Sequence, residues 1–323
     1  SNFRAGVNAG NSITAGGNFN VTVGDEAGTA ITTGDSNTLI GYLAGDAITT
    51  VSFITAVGEK ALSANTSGQK NTALGRAALQ SITSQDNNTA VGYNSLSGGN
   101  NAGGNNTAIG SDTLSGNTTG DNNVALGYNA LAANTTASSN VAIGRGALDA
   151  TTTGSSNTSV GDMSSSANTT GANNTAIGTL ALTANTTAAS NVAVGYAALT
   201  TNTTGANNVA VGLEALVNST TASFNTALGF ETLKTNTTGD NNVAIGYQAL
   251  RLNVAGDRSV AIGVQALDAQ NPSGNVDMYN TAVGFAAGTL VTTGASNTFI
   301  GGLAGDATDD GAENVAVGYL ALS

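Results

Sequence analysis

The chain contains no cysteine and no histidine. Disulfides, thiolate zinc sites, imidazole metal ligands and the usual general base are therefore all excluded. Charge is also scarce: Asp, Glu, Lys and Arg make up 9% of the sequence, and the net charge of −12 leaves no basic stripe for nucleic acid. The eight basic residues are scattered, at Arg4, Lys60, Lys70, Arg76, Arg145, Lys234, Arg251 and Arg258. With no clustered acid and base, the chain reads as a non-enzyme without cofactor or metal. No apolar run is long enough to span a bilayer, and the start SNFRAG has neither an initiator Met nor a signal-peptide pattern. The expectation is a processed chain or a piece of something larger, without capping elements at its ends.

What fills the sequence instead is one recurring block, of which NNVAIGYQAL at 241–250 is representative. Its glycine recurs at 19 positions, among them Gly41, Gly75, Gly127, Gly195, Gly246 and Gly318. Successive anchors lie 17 residues apart, except for 18 at Gly6 to Gly24 and Gly92 to Gly110, and 21 at Gly263 to Gly284. So short and strict a period specifies a stack of repeats growing along one axis, hence a single domain over 1–323 despite the length.

Read down the stack, each position of the repeat forms a column. Four residues before the glycine stands Asn in 17 of 19 copies, including Asn71, Asn123, Asn191 and Asn242. In stacked coils this column predicts an amide ladder, each side chain bonding its neighbours above and below. Positions three and one before the glycine are Val or Thr and Val, Ile or Leu, with Phe3 and Ala5 as the exceptions in the first copy. Two apart on a strand, they share a face, and their aliphatic character marks it as the core face. Between them stands Ala in 14 copies, for example Ala73, Ala125, Ala193 and Ala244. Alternation turns this column the other way, and its small size predicts a close subunit contact.

After the glycine, the third residue is Ala in 15 copies and the fourth is Leu in 13, with Gly replacing that Leu at Gly10, Gly28, Gly45, Gly288 and Gly305. These Gly variants predict a different cross-section near the two ends. The rest of each period is Asn, Thr and Gly turn chemistry, as in Asn202-Thr203-Thr204-Gly205. Frequent Gly and the lack of a sustained 3.6-residue period exclude helix. The sequence thus specifies an all-β fold, a parallel β-solenoid (β-roll or β-helix) of about 19 coils, most of 17 residues. A core this thin favours lateral packing into an elongated homo-oligomer.

The blocks NVAIGYQAL (242–250), NTAVGYNSL (88–96) and NVALGYNAL (123–131) resemble the NSVAIG-type head repeats of YadA-like trimeric autotransporter adhesins, and equally the NTAxGYxAL repeats of phage tail-fibre shafts. The resemblance spans essentially the whole chain. It implies a left-handed β-roll, three chains per rod, and attachment to a host or matrix surface or glycan.

Other features compete for attention. Tyr42, Tyr93, Tyr128, Tyr196, Tyr247 and Tyr319 all follow an anchor, with Phe230 and Phe285 in the same column. A glycan track would use such rings. Leu213, Thr179, Asp162, Arg76 and Arg145 interrupt them, which favours a corner or seam role. Asp306, Asp309, Asp310 and Glu313 offer oxygens to calcium, but not at EF-hand spacing, so a solvated loop is the better reading. The stretch 268–278, holding the single proline Pro272, is expected as an outward loop. Thr pairs such as Thr135-Thr136, Thr169-Thr170, Thr186-Thr187, Thr203-Thr204 and Thr237-Thr238 could line an ice-binding face, although on a strand only one of each pair faces out. N-x-[ST] sequons occur at Asn117, Asn168 and Asn202. The sequence reading is a rigid extracellular fibre shaft, on a virion or a cell surface, with a head-to-tail filament subunit and an ice-binding solenoid as alternatives.

Overall fold

The computed structural model describes residues 1–99 and 103–323. Among the described residues there is no helix, and every principal strand is three residues long. The chain forms two compact units, Ser1–Asn157 and Thr158–Ser323. The first holds nine strands, from Phe3–Ala5 to Val141–Ile143. The second holds ten, from Thr158–Val160 to Val315–Val317, and a short extra pair, Gly256–Asp257 with Val276–Asp277. Within each unit, consecutive strands pair in parallel and residue for residue: Val192, Ala193 and Val194 oppose Val209, Ala210 and Val211. Each unit is therefore a β-solenoid, and like residues stand in columns.

The anchor glycine ends each strand for two reasons. Its φ lies at +127° in Gly246, outside the range of L side chains, and a Cβ there would stand 2.6 Å from the carbonyl of Gly263 in the next coil. The turn that follows uses left-handed residues that are not glycine, with Gln248 at φ 55° and Leu250 at φ 52°. These conformations send amides alternately to either side: Gln248 N–H donates back to Phe230 at 3.0 Å and Leu250 N–H donates forward to Ala266 at 3.0 Å. A left-handed L-residue costs ~1–2 kcal/mol. Full burial of a Leu side chain contributes about 1.5–3 kcal/mol, and the two inter-coil bonds add to it, so the turn holds.

The interior reverses the predicted faces. Ala73, Ala125, Ala193 and Ala244 are all at 0% exposure inside the coil, packed with the Ala and Leu columns that follow the glycine. They cannot be the subunit contact. The aliphatic residues on either side of them point outward instead: Leu74 is 46% exposed and Leu228 45%. The alternation was legible and its phase was not. A coil closed by so short a strand and so tight a turn leaves room for only a methyl group opposite Leu, so the bulkier β-branched residues are turned out.

The Asn column is buried, but its bonds run mainly to the backbone rather than from amide to amide. Asn191 Oδ1 accepts the N–H of Asn208 at 2.9 Å, and its Nδ2 donates to the carbonyl of Gly205 at 2.9 Å. Asn71, Asn123 and Asn242 repeat this geometry. Direct amide links such as Asn123 Nδ2 to Asn106 Oδ1, at 3.2 Å, are additions. A second buried Asn column clamps the return turn: Gly120 N–H donates to Asn117 Oδ1 at 3.0 Å while Asn117 Nδ2 donates to Gly120 C=O at 2.9 Å. Each buried amide thereby satisfies backbone groups that the wide turns leave unpaired.

The end coils differ in packing rather than in path. Where Gly45 replaces the usual Leu, Leu39 fills the strand position normally held by Ala, and Ile48 replaces the second-column Asn. A Cβ on Gly45 would lie 2.8 Å from Ile48 Cδ1 and 2.9 Å from Leu39 Cδ2. The same volume is supplied from different columns.

Candidate functional site

The strand fixes which side chains reach solvent, and the outcome is an apolar face that follows every coil. In the first unit Ile40, Leu74, Ile109, Val124 and Leu126 are exposed; in the second Ile177, Val209, Leu228, Ile262 and Ile300 are. Threonine and further valine, partly exposed, complete the two outward columns, as at Thr226 and Val243. No charged side chain occupies either column in any copy. Isolated exposed aliphatics are ordinary, but a contiguous face of them repeated from strand to strand is characteristic of a surface that packs against something.

The column after the anchor adjoins this face. Tyr42, Tyr93, Tyr128, Tyr196 and Tyr247 are exposed, with Phe285. Two contacts in this column engage ring faces: Phe230 and Tyr247 stack at 5.4 Å and 7°, and the Arg76 guanidinium lies 5.5 Å over Tyr93. At these two places a ring face that a sugar would need is already covered. Leu213 and Val264, both exposed, continue the apolar character between Tyr196 and Phe285, so the second unit carries six successive apolar members of the column. Leu213 interrupts the rings but not the apolar run.

The remaining candidates resolve individually. The Thr pairs lie in bends rather than on strands. The first member of each spends its hydroxyl on the next coil, as Thr203 Oγ1 donates to Thr220 C=O at 3.0 Å and Thr135 Oγ1 to Thr152 C=O at 3.0 Å. The sequon residues Asn117, Asn168 and Asn202 belong to the buried second Asn column, with Nδ2 donating to Gly120, Gly171 and Gly205. Their amides lie inside the folded coil, beyond the reach of a modifying enzyme. The acidic residues Asp306, Asp309, Asp310 and Glu313 do not converge: no group of three or more metal-ligating side chains exists among the described residues.

The stretch 268–278 is less of an excursion than its length implies. Asp268 accepts two bonds from Arg251, at 2.8 and 3.0 Å. Gln270 is buried and bridges Ser259 and Asn280. Met278 is buried, and Val276–Asp277 pairs with Gly256–Asp257. The longest exposed run in it is 273–277, where Arg258 pairs with Asp277 and lies 5.8 Å over the Tyr279 ring.

Elsewhere, charged groups form a surface relay. Lys234 bridges Glu214 at 2.8 Å and Glu231 at 2.6 Å, which holds the Glu231 carboxyl below its ordinary range and the Lys234 ammonium above its own. Desolvation pushes the carboxyls of Asp46 and Asp149 up. None of these groups faces another across a cleft, and no pocket opens among the described residues. No protein-family model matches the sequence, and no curated protein matches it.

Proposed function

We propose that the chain is a non-enzymatic structural protein, a segment of an extracellular fibre shaft of the virion tail-fibre or cell-surface adhesin kind. Copies of it associate side by side through the outward aliphatic columns, as a homotrimer. The observation that carries this reading is the uncharged apolar face formed by residues such as Leu74, Leu126, Leu228 and Ile262. A second copy carries the same 17-residue spacing and the same columns, so it is the one partner whose periodicity matches this face at every coil. Burying it contributes roughly 25 cal/mol per Å² of apolar surface, which a core built mainly of Ala and Leu does not supply by itself. Recognition of a host surface or glycan then belongs to exposed loop elements such as 273–277.

Sedimentation velocity with negative-stain imaging tests the proposal. Discrete trimers that become monomers when Leu228→Lys and Ile262→Lys are combined would support it. A stable wild-type monomer, or filaments that lengthen with concentration and ignore both substitutions, would overturn it.

A further inference from the structure

One coil departs from all others in its interior. In the coil anchored at Gly161, the three columns that most often hold Ala, Ala and Leu hold Ser159, Ser164 and Ser165, and no other copy is polar at all three. All three are buried, at 0%, 0% and 2% exposure. The Ser159 hydroxyl bonds the Ser164 carbonyl at 2.9 Å and the Ser164 hydroxyl at 2.5 Å, while Ser164 Oγ also reaches Gly161 C=O at 3.2 Å. The Ser159 and Ser164 hydroxyls are therefore satisfied, but the coil places no apolar side chain in the buried core. Although the second unit begins at Thr158, its apolar core begins only at Ala176, Ala181 and Leu182 in the following coil.

The backbone gives no hint of this difference. Ser165 N–H donates to Ala181 at 2.9 Å and Ala167 N–H to Thr183 at 3.0 Å; the equivalent bonds of Leu199 to Ala215 and Ala184 to Thr200 are 2.9 and 2.9 Å. Hydrogen bonding is equal, so whatever separates the stability of these coils comes from the side chains inside. A solenoid's stability is close to a sum of coil and neighbour terms, and a coil that lacks its Leu lowers that sum locally.

We infer that the coil 158–174 is a built-in yielding point: it opens while the rest of the second unit stays folded, uncovering Ala176, Ala181 and Leu182. The chain thereby fixes where it gives way under load, heat or protease, at a site set by three serines and not by any loop.

Amide hydrogen exchange on the full chain tests this. The amides of Ser165 and Ala167 should exchange at least ~100-fold faster than those of Leu199 and Ala184, because protection follows the local opening free energy. The triple variant Ser159→Ala, Ser164→Ala and Ser165→Leu restores the usual interior and should slow the first pair to the rate of the second. Uniform protection in the natural chain would overturn the inference. So would rapid exchange that persists in the triple variant, which would assign the opening to the coil's position at the head of its unit.

Discussion

The ring of Phe299 occupies the space that a side chain on Gly305 would need: a Cβ built on Gly305 lies 2.5 Å from Cδ1 and Cε1 of that ring. Most coils place Ala and Leu at these two positions, as Ala244 and Leu250 do. Leu250 adopts φ 52° and Gly305 φ 64°, so the backbone would accept Leu at 305 and only the ring excludes it. Gly305→Leu should destabilise the second unit, and Phe299→Ala should cost about 3–5 kcal/mol by leaving a cavity. Combining them re-creates the commoner interior, with a favourable coupling of roughly 1–3 kcal/mol in a double-mutant cycle followed by denaturant unfolding.

The inward and outward columns make opposite predictions for adjacent residues. Ala227 is fully buried and Leu228 is 45% exposed. Ala227→Val should cost ~1–3 kcal/mol through overpacking. Leu228→Lys should leave the stability of the isolated chain within about 0.5 kcal/mol, measured at protein concentrations low enough to prevent association. The reverse order would restore Ala to the outside.

Glycines divide by what surrounds them. Gly246 combines φ +127° with a backbone carbonyl 2.6 Å from any added Cβ, whereas Gly274, at φ +107°, has nothing within 4 Å. Gly274→Ala carries only the strain of its conformation, about 1–3 kcal/mol. Gly246→Ala carries a comparable strain and also pushes two coils apart, so its Tm should fall well below that of Gly274→Ala.

The pH dependence follows from Asp46, whose Oδ1 is buried without a hydrogen-bond partner. Desolvation raises its carboxyl above the ordinary value. A group raised on folding contributes most below its unfolded value, near pH ~4, and that contribution is lost as pH rises through the folded value. Asp46→Asn should therefore raise Tm at about pH 7 and leave it unchanged near pH ~3. Glu231 runs the other way: held low chiefly by Lys234 and Gln248, it contributes above its unfolded value, and the contribution is lost as pH falls through the folded one.

Much of this architecture can be read without coordinates, because the anchor glycines and the Asn column repeat at one spacing that only a stacked parallel fold explains. The orientation of the strand cannot be read so directly. Val243, Ala244 and Ile245 alternate, and the ordinary rule that larger aliphatics point inward assigns them the wrong way round. A cue was present in the coils that deviate: Leu39 accompanies Gly45 and Phe299 accompanies Gly305. Two columns that exchange volume must face one another across an interior. The Asn amides are harder, since composition marks a ladder but cannot say that Asn191 bonds the backbone of Asn208 and Gly205 rather than another amide. The aliphatic residues are legible as a stripe, but nothing in the sequence says that the interior has room only for Ala opposite Leu, so their exposure, as at Leu74 and Leu228, is not.

The offset that sets Ala193 against Ala210 also makes coils exchangeable parts. Excising residues 192–208 would join Asn191 to Val209 and regenerate NVAVG without altering a single column. Recombination between neighbouring copies in the gene therefore lengthens or shortens the protein in whole coils, about 4.8 Å at a time. Reach becomes a trait that can be inherited and selected separately from the surface the protein presents.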